Sequence, residues 1–337
     1  MSSGRRVLLV SPVFHEYWRS IARGFEANGH DVVVHCYDEH SDPLTRLRNK
    51  VVFEGLDHLR AGSGTARFVR AATAGARAAL GRTRPEVVVV VKGDLLADAF
   101  WDDVDRLGSD RVLWLYDELR RTRHDLARLA EIGPVASYSP LDVATLTEAG
   151  IRARHVPLAF DPAFAHARIP SDDVLFIGAR YPGRTEVLCE LQRRGVAVRA
   201  VGNDWSHRTR DRVRTWSWHR PDLPAAPSVS RGIGAGMMAG AFATLNVHGD
   251  QDGFTMRTFE ACGVGALQFV DRADVSMHYT PGVEILPFAS VGEIAELVER
   301  ARREPLWAAR IRAAGRARTL ARHTFAQRAR ELEELWD

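Results

Sequence analysis

Glu86-Val87-Val88-Val89-Val90-Val91-Lys92-Gly93-Asp94 decides how the chain folds. Five valines in succession, with no polar residue alternating, describe a strand buried on both faces. Such strands belong to parallel sheets covered by helices on either side. The run is also the longest aliphatic stretch in the chain. A membrane span needs roughly 20 apolar residues, so none is expected. Outward from this strand the same unit recurs: a short aliphatic run, a small or polar residue, then a helical pattern. A helix is expected near Leu95–Leu107, directly after the valines. Arg6–Val10 precedes a helix around His15–Asn28, and Asp31–His35 restarts the pattern after Gly29. Arg111–Tyr116 precedes Leu119–Ile132, and Val135–Tyr138 precedes Leu141–Ala149, where Gly150 stops the helix.

A second series begins at Val174–Ile177 and continues through Val196–Val201, Ala243–Val247, Ala266–Val270 and Glu284–Leu286. Between the series, His155-Val156-Pro157-Leu158-Ala159-Phe160-Asp161-Pro162 has two prolines and no periodicity, and a polar stretch follows it. The expected fold class is therefore α/β, with two Rossmann-like domains. The boundaries read as 1–158 for the first domain, 159–172 for a linker, 173–320 for the second domain and 321–337 for a terminal helix. Asp222–Ser230 reads as a loop, and two helices are expected over Pro305–Leu320 and Thr324–Trp336. Two doubly wound domains place a cleft between the carboxyl edges of their sheets, where strand ends and helix N-termini converge on ligands.

Composition narrows the function. The 337 residues are 45% hydrophobic and 26% charged, a globular profile with room for two cores. Net charge is +3, yet of 46 basic residues only Lys50 and Lys92 are lysines. Arginine is used wherever a cation will do, and the densest stretch, Arg300 to Arg330, alternates it with Ala and Leu at helical spacing. That pattern is a solvated helix face, with anionic membrane contact as a minority reading. Nucleic-acid binding would need arginines clustered on one element beside stacking aromatics, so it is not expected. No Gly-Lys dipeptide occurs, so no Walker A loop exists. No lysine follows residue 92 to form a Schiff base with pyridoxal phosphate in the second half. Cys36, Cys189 and Cys262 are far apart, which fits a reducing cytoplasm better than a disulfide framework or zinc site. The apolar run after Met1-Ser2-Ser3-Gly4-Arg5-Arg6 is too short for a secretory signal.

Chemistry concentrates in Asn246-Val247-His248-Gly249-Asp250-Gln251-Asp252-Gly253-Phe254-Thr255-Met256-Arg257-Thr258-Phe259-Glu260-Ala261-Cys262-Gly263-Val264-Gly265. A strand ends, an acidic glycine-containing turn follows, and a helix opens. Asp252 falls on the loop and Glu260 in the second helical turn. Amides of Phe254, Thr255 and Met256 would lie at the helix N-terminus, where an anion is favoured.

This segment resembles the E-x7-E region of GT-B glycosyltransferases, with Asp252 in the place of the first acid. It is closer still to the CgeB-like (spore-maturation-type) glycosyltransferases. Val91-Lys92-Gly93-Asp94, Trp114-Leu115-Tyr116-Asp117-Glu118 and Phe176-Ile177-Gly178-Ala179-Arg180-Tyr181-Pro182-Gly183-Arg184 also look like blocks of that family. So do Pro281-Gly282-Val283-Glu284 and His323-Thr324-Phe325 with Arg328, and the similarity extends over nearly the whole chain.

The resemblance implies a GT-B fold with an interdomain cleft and a C-terminal helix crossing back to the first domain. It implies transfer of a sugar from a nucleotide diphosphate, UDP favoured, held by the second domain. Glu260 would accept hydrogen bonds from both ribose hydroxyls. Asp252 and the Gly253-Phe254 amides would face the sugar. Gly178, Arg180, Arg184, His248, Thr255, Met256 and Arg257 complete the expected donor site. Arginine forks suit phosphate oxygens and would stabilise the departing diphosphate. On the acceptor side stand Lys92 and Asp94, with Asp117, Glu118 and His15 as candidate bases for the acceptor hydroxyl. The acceptor is a small molecule, a glycan or a lipid-linked compound, and oligomeric state is not legible. The alternatives are a nucleotide-sugar epimerase on the same frame and an inactive GT-B partner.

Two further motifs are decoys. Asp250-Gln251-Asp252 matches the D-x-D that binds metal in GT-A enzymes, but it falls inside the block already explained, so neither metal nor other cofactor is expected. Gly234-Ala235-Gly236-Met237-Met238-Ala239 fits a dinucleotide fingerprint, but no buried strand precedes it.

Overall fold

A computed structural model describes residues 4–38, 63–164 and 166–336, and Lys50 lies outside them. The described chain divides into two units, 4–157 with 325–336, and 158–324.

The first unit carries a parallel sheet of β1 (Arg6–Ser11), β2 (Asp31–Cys36), β3 (Val87–Val91), β4 (Asp110–Leu115), β5 (Val135–Ser137) and β6 (Ala153–His155), in the order β2-β1-β3-β4-β5-β6. The valines of β3 lie between β1 and β4 and are fully buried, because helices cover both faces. These helices are α1 (Tyr17–Ala27), α2 (Ser63–Thr83), α3 (Asp98–Leu107), α4 (Leu126–Ile132) and α5 (Pro140–Glu148). The helix expected from His15 begins at Tyr17, after a 3-10 turn over Phe14–Glu16. Likewise Leu119–Ile132 is not one helix but a turn over Leu119–Arg121 and then α4.

The second unit has the parallel strands β7 (Ser171–Ile177), β8 (Val198–Val201), β9 (Ala225–Ala226), β10 (Ala241–Asn246), β11 (Gln268–Val270) and β12 (Leu286–Pro287). Their order is β12-β11-β10-β7-β8-β9. Its helices are α6 (Pro182–Arg193), α7 (Thr209–Thr215), α8 (Arg231–Gly240), α9 (Met256–Gly263), α10 (Val291–Arg303) and α11 (Pro305–Arg322). The supposed loop Asp222–Ser230 contains β9, a two-residue edge strand too short to read from periodicity.

Two boundaries differ from expectation. Residues 159–172 are not a free linker. Leu158, Ala159, Phe160 and Asp161 are buried in the second unit, and Ser171 already begins β7. Phe160 fits there because Gly263 lacks a side chain: a Cβ at that position would come within 2.4 Å of the ring. The second boundary falls at Thr324/Phe325 rather than at 320/321. In addition, Gly236 of the 234–239 motif and Gly240 just beyond it lie where another stretch of chain passes closely. A Cβ on Gly236 would sit 2.0 Å from the Ala167 carbonyl oxygen, and on Gly240 1.9 Å from that of Ile169.

The terminal helix α12 (Phe325–Trp336) belongs to the first unit and packs along α1. Trp336 stacks on Phe25 at 5.6 Å, and Asn28 Nδ2 donates to the Ala326 carbonyl at 3.0 Å. Gly24 lets the helices approach, since a Cβ there would lie 2.5 Å from the Phe325 carbonyl oxygen.

Candidate functional site

Strand order reverses between β1 and β3 in one sheet and between β7 and β10 in the other. Crevices outside the carboxyl ends of strands at such switch points are where open α/β sheets hold ligands. The expected site residues follow these four strands or their neighbours, in each unit.

In the second unit, the loop after β10 leads into α9. Thr255 occupies the N-cap and makes no side-chain cap, while Phe254 and Met256 are buried. Asp252 and Gly253 lie on the loop, and Glu260 sits in the second turn as its spacing requires. The surroundings of Glu260 were not legible from its motif. Its carboxylate is buried and bracketed by two guanidiniums, with Arg231 Nε 2.9 Å from Oε1 and Arg257 bonded to Oε2. Arg257 therefore neutralises Glu260 rather than standing alone. The two guanidiniums fix the position of the carboxylate against α9 and the start of α8.

His248 and Arg184 differ from expectation. The His248 ring is buried, with Nδ1 2.7 Å from Asp271 Oδ1, Nε2 3.3 Å from Thr258 Oγ1, and Phe254 at its edge. Its backbone N–H donates to Asp271 Oδ2 at 2.8 Å. Held on both sides, it positions the loop instead of facing a ligand. Arg184 is buried and donates to the carbonyls of Val247 (2.7 Å), Ala179 (3.1 Å) and His248 (3.4 Å), while its fork lies over Tyr181. Burial pushes its pKa below the usual guanidinium range. It ties the β7 and β10 loops together rather than presenting a cation to phosphate. Arg180 remains half-exposed just past β7 and Gly178. Its backbone N–H donates to Asp204, and its side chain reaches Ser217 Oγ at 2.8 Å.

Three residues that the motif reading passed over help build this edge. Arg231 opens α8, and Asp271 and Arg272 directly follow β11. Arg272 Nη1 donates to the Gln251 and Asp252 carbonyls at 2.9 and 2.7 Å, with its guanidinium 4.3 Å over the Phe254 ring. The position just after a strand was the signal that could have singled out Asp271 and Arg272.

In the first unit, the backbone past β1 and β3 is left-handed at His15 (φ 47°), Glu16 (φ 58°) and Lys92 (φ 66°). Non-glycine residues held there cost on the order of 1–3 kcal/mol each, a strain that clusters at functional sites. His15 is exposed, edge-on to Phe14 at 4.4 Å. Lys92 Nζ lies 3.7 Å from Asp117 Oδ2, and its carbonyl takes His124 Nε2 at 2.7 Å. Asp94 Oδ1 is buried and has no hydrogen-bond partner among the described residues.

Glu118 does not suit a base. It is fully buried, accepts the Tyr138 hydroxyl at 2.6 Å and pairs with Arg121 Nε at 2.8 Å. Burial and this carboxylate together push the Tyr138 pKa far up. Asp117 is half-buried, and burial raises its carboxyl pKa, opposed by Lys92 and reinforced by Glu118. A carboxyl raised in the folded state binds more protons folded than unfolded, so its stabilising contribution is lost as pH rises through the folded pKa. Asp117→Asn is accordingly expected to gain thermal stability relative to the parent as pH climbs from 4 to 7. Melting curves across that range check this, and a difference that shrinks with pH would refute it.

Among the described residues no group of three or more His, Cys, Asp or Glu side chains is arranged to hold a metal ion. Residues 184–334 match a family model described as glycosyl transferase-like. No curated protein matches. Sucrose-phosphate synthase from Thermosynechococcus elongatus is similar over 98% of both chains, with a TM-score of 0.64 and 15% identity. Anabaena HepE in complex with UDP-glucose is similar over 98% of both chains, at 0.61 and 12%. A putative UDP-N-acetylglucosamine 2-epimerase from Listeria monocytogenes covers 98% of this chain and 95% of its own, at 0.60 and 10%. The fold is GT-B.

Proposed function

We propose that the protein is a glycosyltransferase that moves a sugar from a nucleotide-diphosphate donor, UDP-sugar by preference, to a hydroxyl-bearing acceptor. The observation that carries this reading is the buried Glu260 carboxylate between Arg231 and Arg257 at the β7/β10 switch point, within the stretch that matches the glycosyl transferase-like model. Glu260 accepts from the ribose diol, and its two arginines fix where the carboxylate stands. Asp252 and the Gly253-Phe254 amides face the sugar, and the α9 N-terminus with Arg180 and Arg257 takes the diphosphate. These fixed positive groups stabilise the leaving diphosphate as the glycosidic bond breaks, without a metal ion. Arg184 and His248 position the loops that carry them.

On the first unit, Asp117 accepts the acceptor's hydroxyl proton, its raised pKa suiting a base better than an ordinary carboxylate. Lys92, Asp94 and His15 flank the acceptor. The closest family reading is the CgeB-like group. A cytoplasmic place of action fits three cysteines that form no disulfide.

Calorimetry with UDP, GDP and TDP, followed by their sugars, tests the proposal. UDP is expected to bind at least tenfold more tightly than the other two, and Glu260→Gln to weaken it tenfold or more. Equal affinities, or a Glu260→Gln variant with unchanged UDP affinity, would remove the basis of the assignment. Conversion of the nucleotide sugar to its epimer with no acceptor present would favour the epimerase reading instead.

A further inference from the structure

Ser206 to Pro221 forms a surface unlike the rest of the second unit. The stretch reads Ser-His-Arg-Thr-Arg-Asp-Arg-Val-Arg-Thr-Trp-Ser-Trp-His-Arg-Pro, with five arginines and a single acid. That acid, Asp211, is fully buried, so no carboxylate of this stretch reaches the surface. Trp216 is 77% exposed and Trp218 60%, with Val213 beside them at 49%. Large apolar side chains usually bury most of their area, and two exposed tryptophans two residues apart in an arginine-rich stretch are not what packing alone selects.

The display is built rather than frayed. Trp216 is held in the left-handed region at φ 49°, a conformation that disfavours a bulky residue. Between the two tryptophans, Ser217 turns inward and accepts from Arg180 Nη2 at 2.8 Å. Just beyond them, Arg220 is buried and donates to Thr215 Oγ1 at 2.6 Å and to the Ser206 carbonyl at 3.2 Å. Inward anchors on either side of each ring leave the tryptophans facing solvent. Arg208, Arg210 and Arg214, at the start of and along the helix that ends at Trp216, are exposed.

We propose that this surface docks on an anionic lipid bilayer. Indole rings settle at the headgroup level, where an apolar body and a polar N–H are both satisfied, and guanidiniums pair with lipid phosphates. The charge is complementary to acidic headgroups, and the apolar part is too small to bind neutral lipid strongly. The site is peripheral, since no described helix is long and apolar enough to cross a membrane. Docking does not depend on the sugar-transfer reading, though it would bring such a transferase to lipid-linked acceptors.

Sedimentation of the full chain with vesicles tests the proposal. Vesicles of 30% phosphatidylglycerol in phosphatidylcholine should bind the protein, and pure phosphatidylcholine vesicles at least tenfold less. Each arginine near an acidic surface is worth about a fivefold factor, so Arg208→Ala/Arg210→Ala/Arg214→Ala should lose binding by well over tenfold. Trp216→Ala/Trp218→Ala should lose tenfold or more while keeping its melting temperature and UDP affinity. Equal binding to both vesicles, or undiminished binding by the folded double variant, would overturn the proposal. So would capture by a soluble acidic polysaccharide with no vesicle binding, which would make the surface a glycan site. Loss of UDP binding by the parent protein would count against the transferase reading alone.

Discussion

Glu260→Ala is expected to lower the melting temperature by about 10 °C as well as to abolish UDP binding. The motif alone suggests a carboxylate that could be removed without harm to the fold. The structure argues otherwise, because both arginines on Glu260 lose a carboxylate partner. Arg231 has only 8% of its side chain exposed, whereas Arg257 has 31% and can turn to water. Breaking a buried ion pair by removing one partner costs about 3–5 kcal/mol, and a domain of this size shifts by roughly 2–4 °C per kcal/mol. Arg231→Met/Glu260→Met separates the two effects. Replacing a buried pair by apolar residues of similar volume is often neutral, so most of the lost stability should return while UDP affinity does not. An unchanged melting temperature in Glu260→Ala would mean that the ion pairs carry no stability.

Ending the chain at Thr324 should unfold the first unit and spare the second. Helix α12 contributes Phe325, Leu332, Leu335 and Trp336 to the core of the first unit, each almost fully buried. Burying a large apolar side chain is worth about 1.5–3 kcal/mol, so four of them approach the whole stability of a domain, about 5–15 kcal/mol. Limited proteolysis should then digest residues 4–157 rapidly and leave 158–324 resistant. UDP calorimetry on the shortened chain should show binding within a few-fold of the parent, since the donor groups named above all lie in 158–324. Protection of residues 4–157 in the shortened chain would show that α12 is dispensable.

Much of the architecture follows from local pattern. Strands such as Val87–Val91 and Val174–Ile177 are buried on both faces, and that burial leaves a continuous apolar run whatever the neighbours are. The terminal helix is likewise visible in its spacing. The edge strand Ala225–Ala226 is not, because two residues bury too little to leave a period. The supposed linker misled because Phe160 and Ala159 look like any proline-flanked loop until Gly263 is seen to make room for the ring.

For the candidate site, the pattern of residues alone places polar groups just after β1, β3, β7 and β10, and along the Asp252–Glu260 turn. Strand ends and helix starts are set by short-range pattern, so position along the chain suffices to find them. Which of those groups face outward and which hold others in place depends on packing across the fold. Arg184 was withdrawn to backbone carbonyls, His248 to Asp271 and Glu118 to Tyr138 and Arg121, while Arg231 came from another element to meet Glu260. Side-chain partners far apart in sequence are chosen by the packing of whole elements, since desolvated charges take whatever donor or acceptor the fold brings within reach.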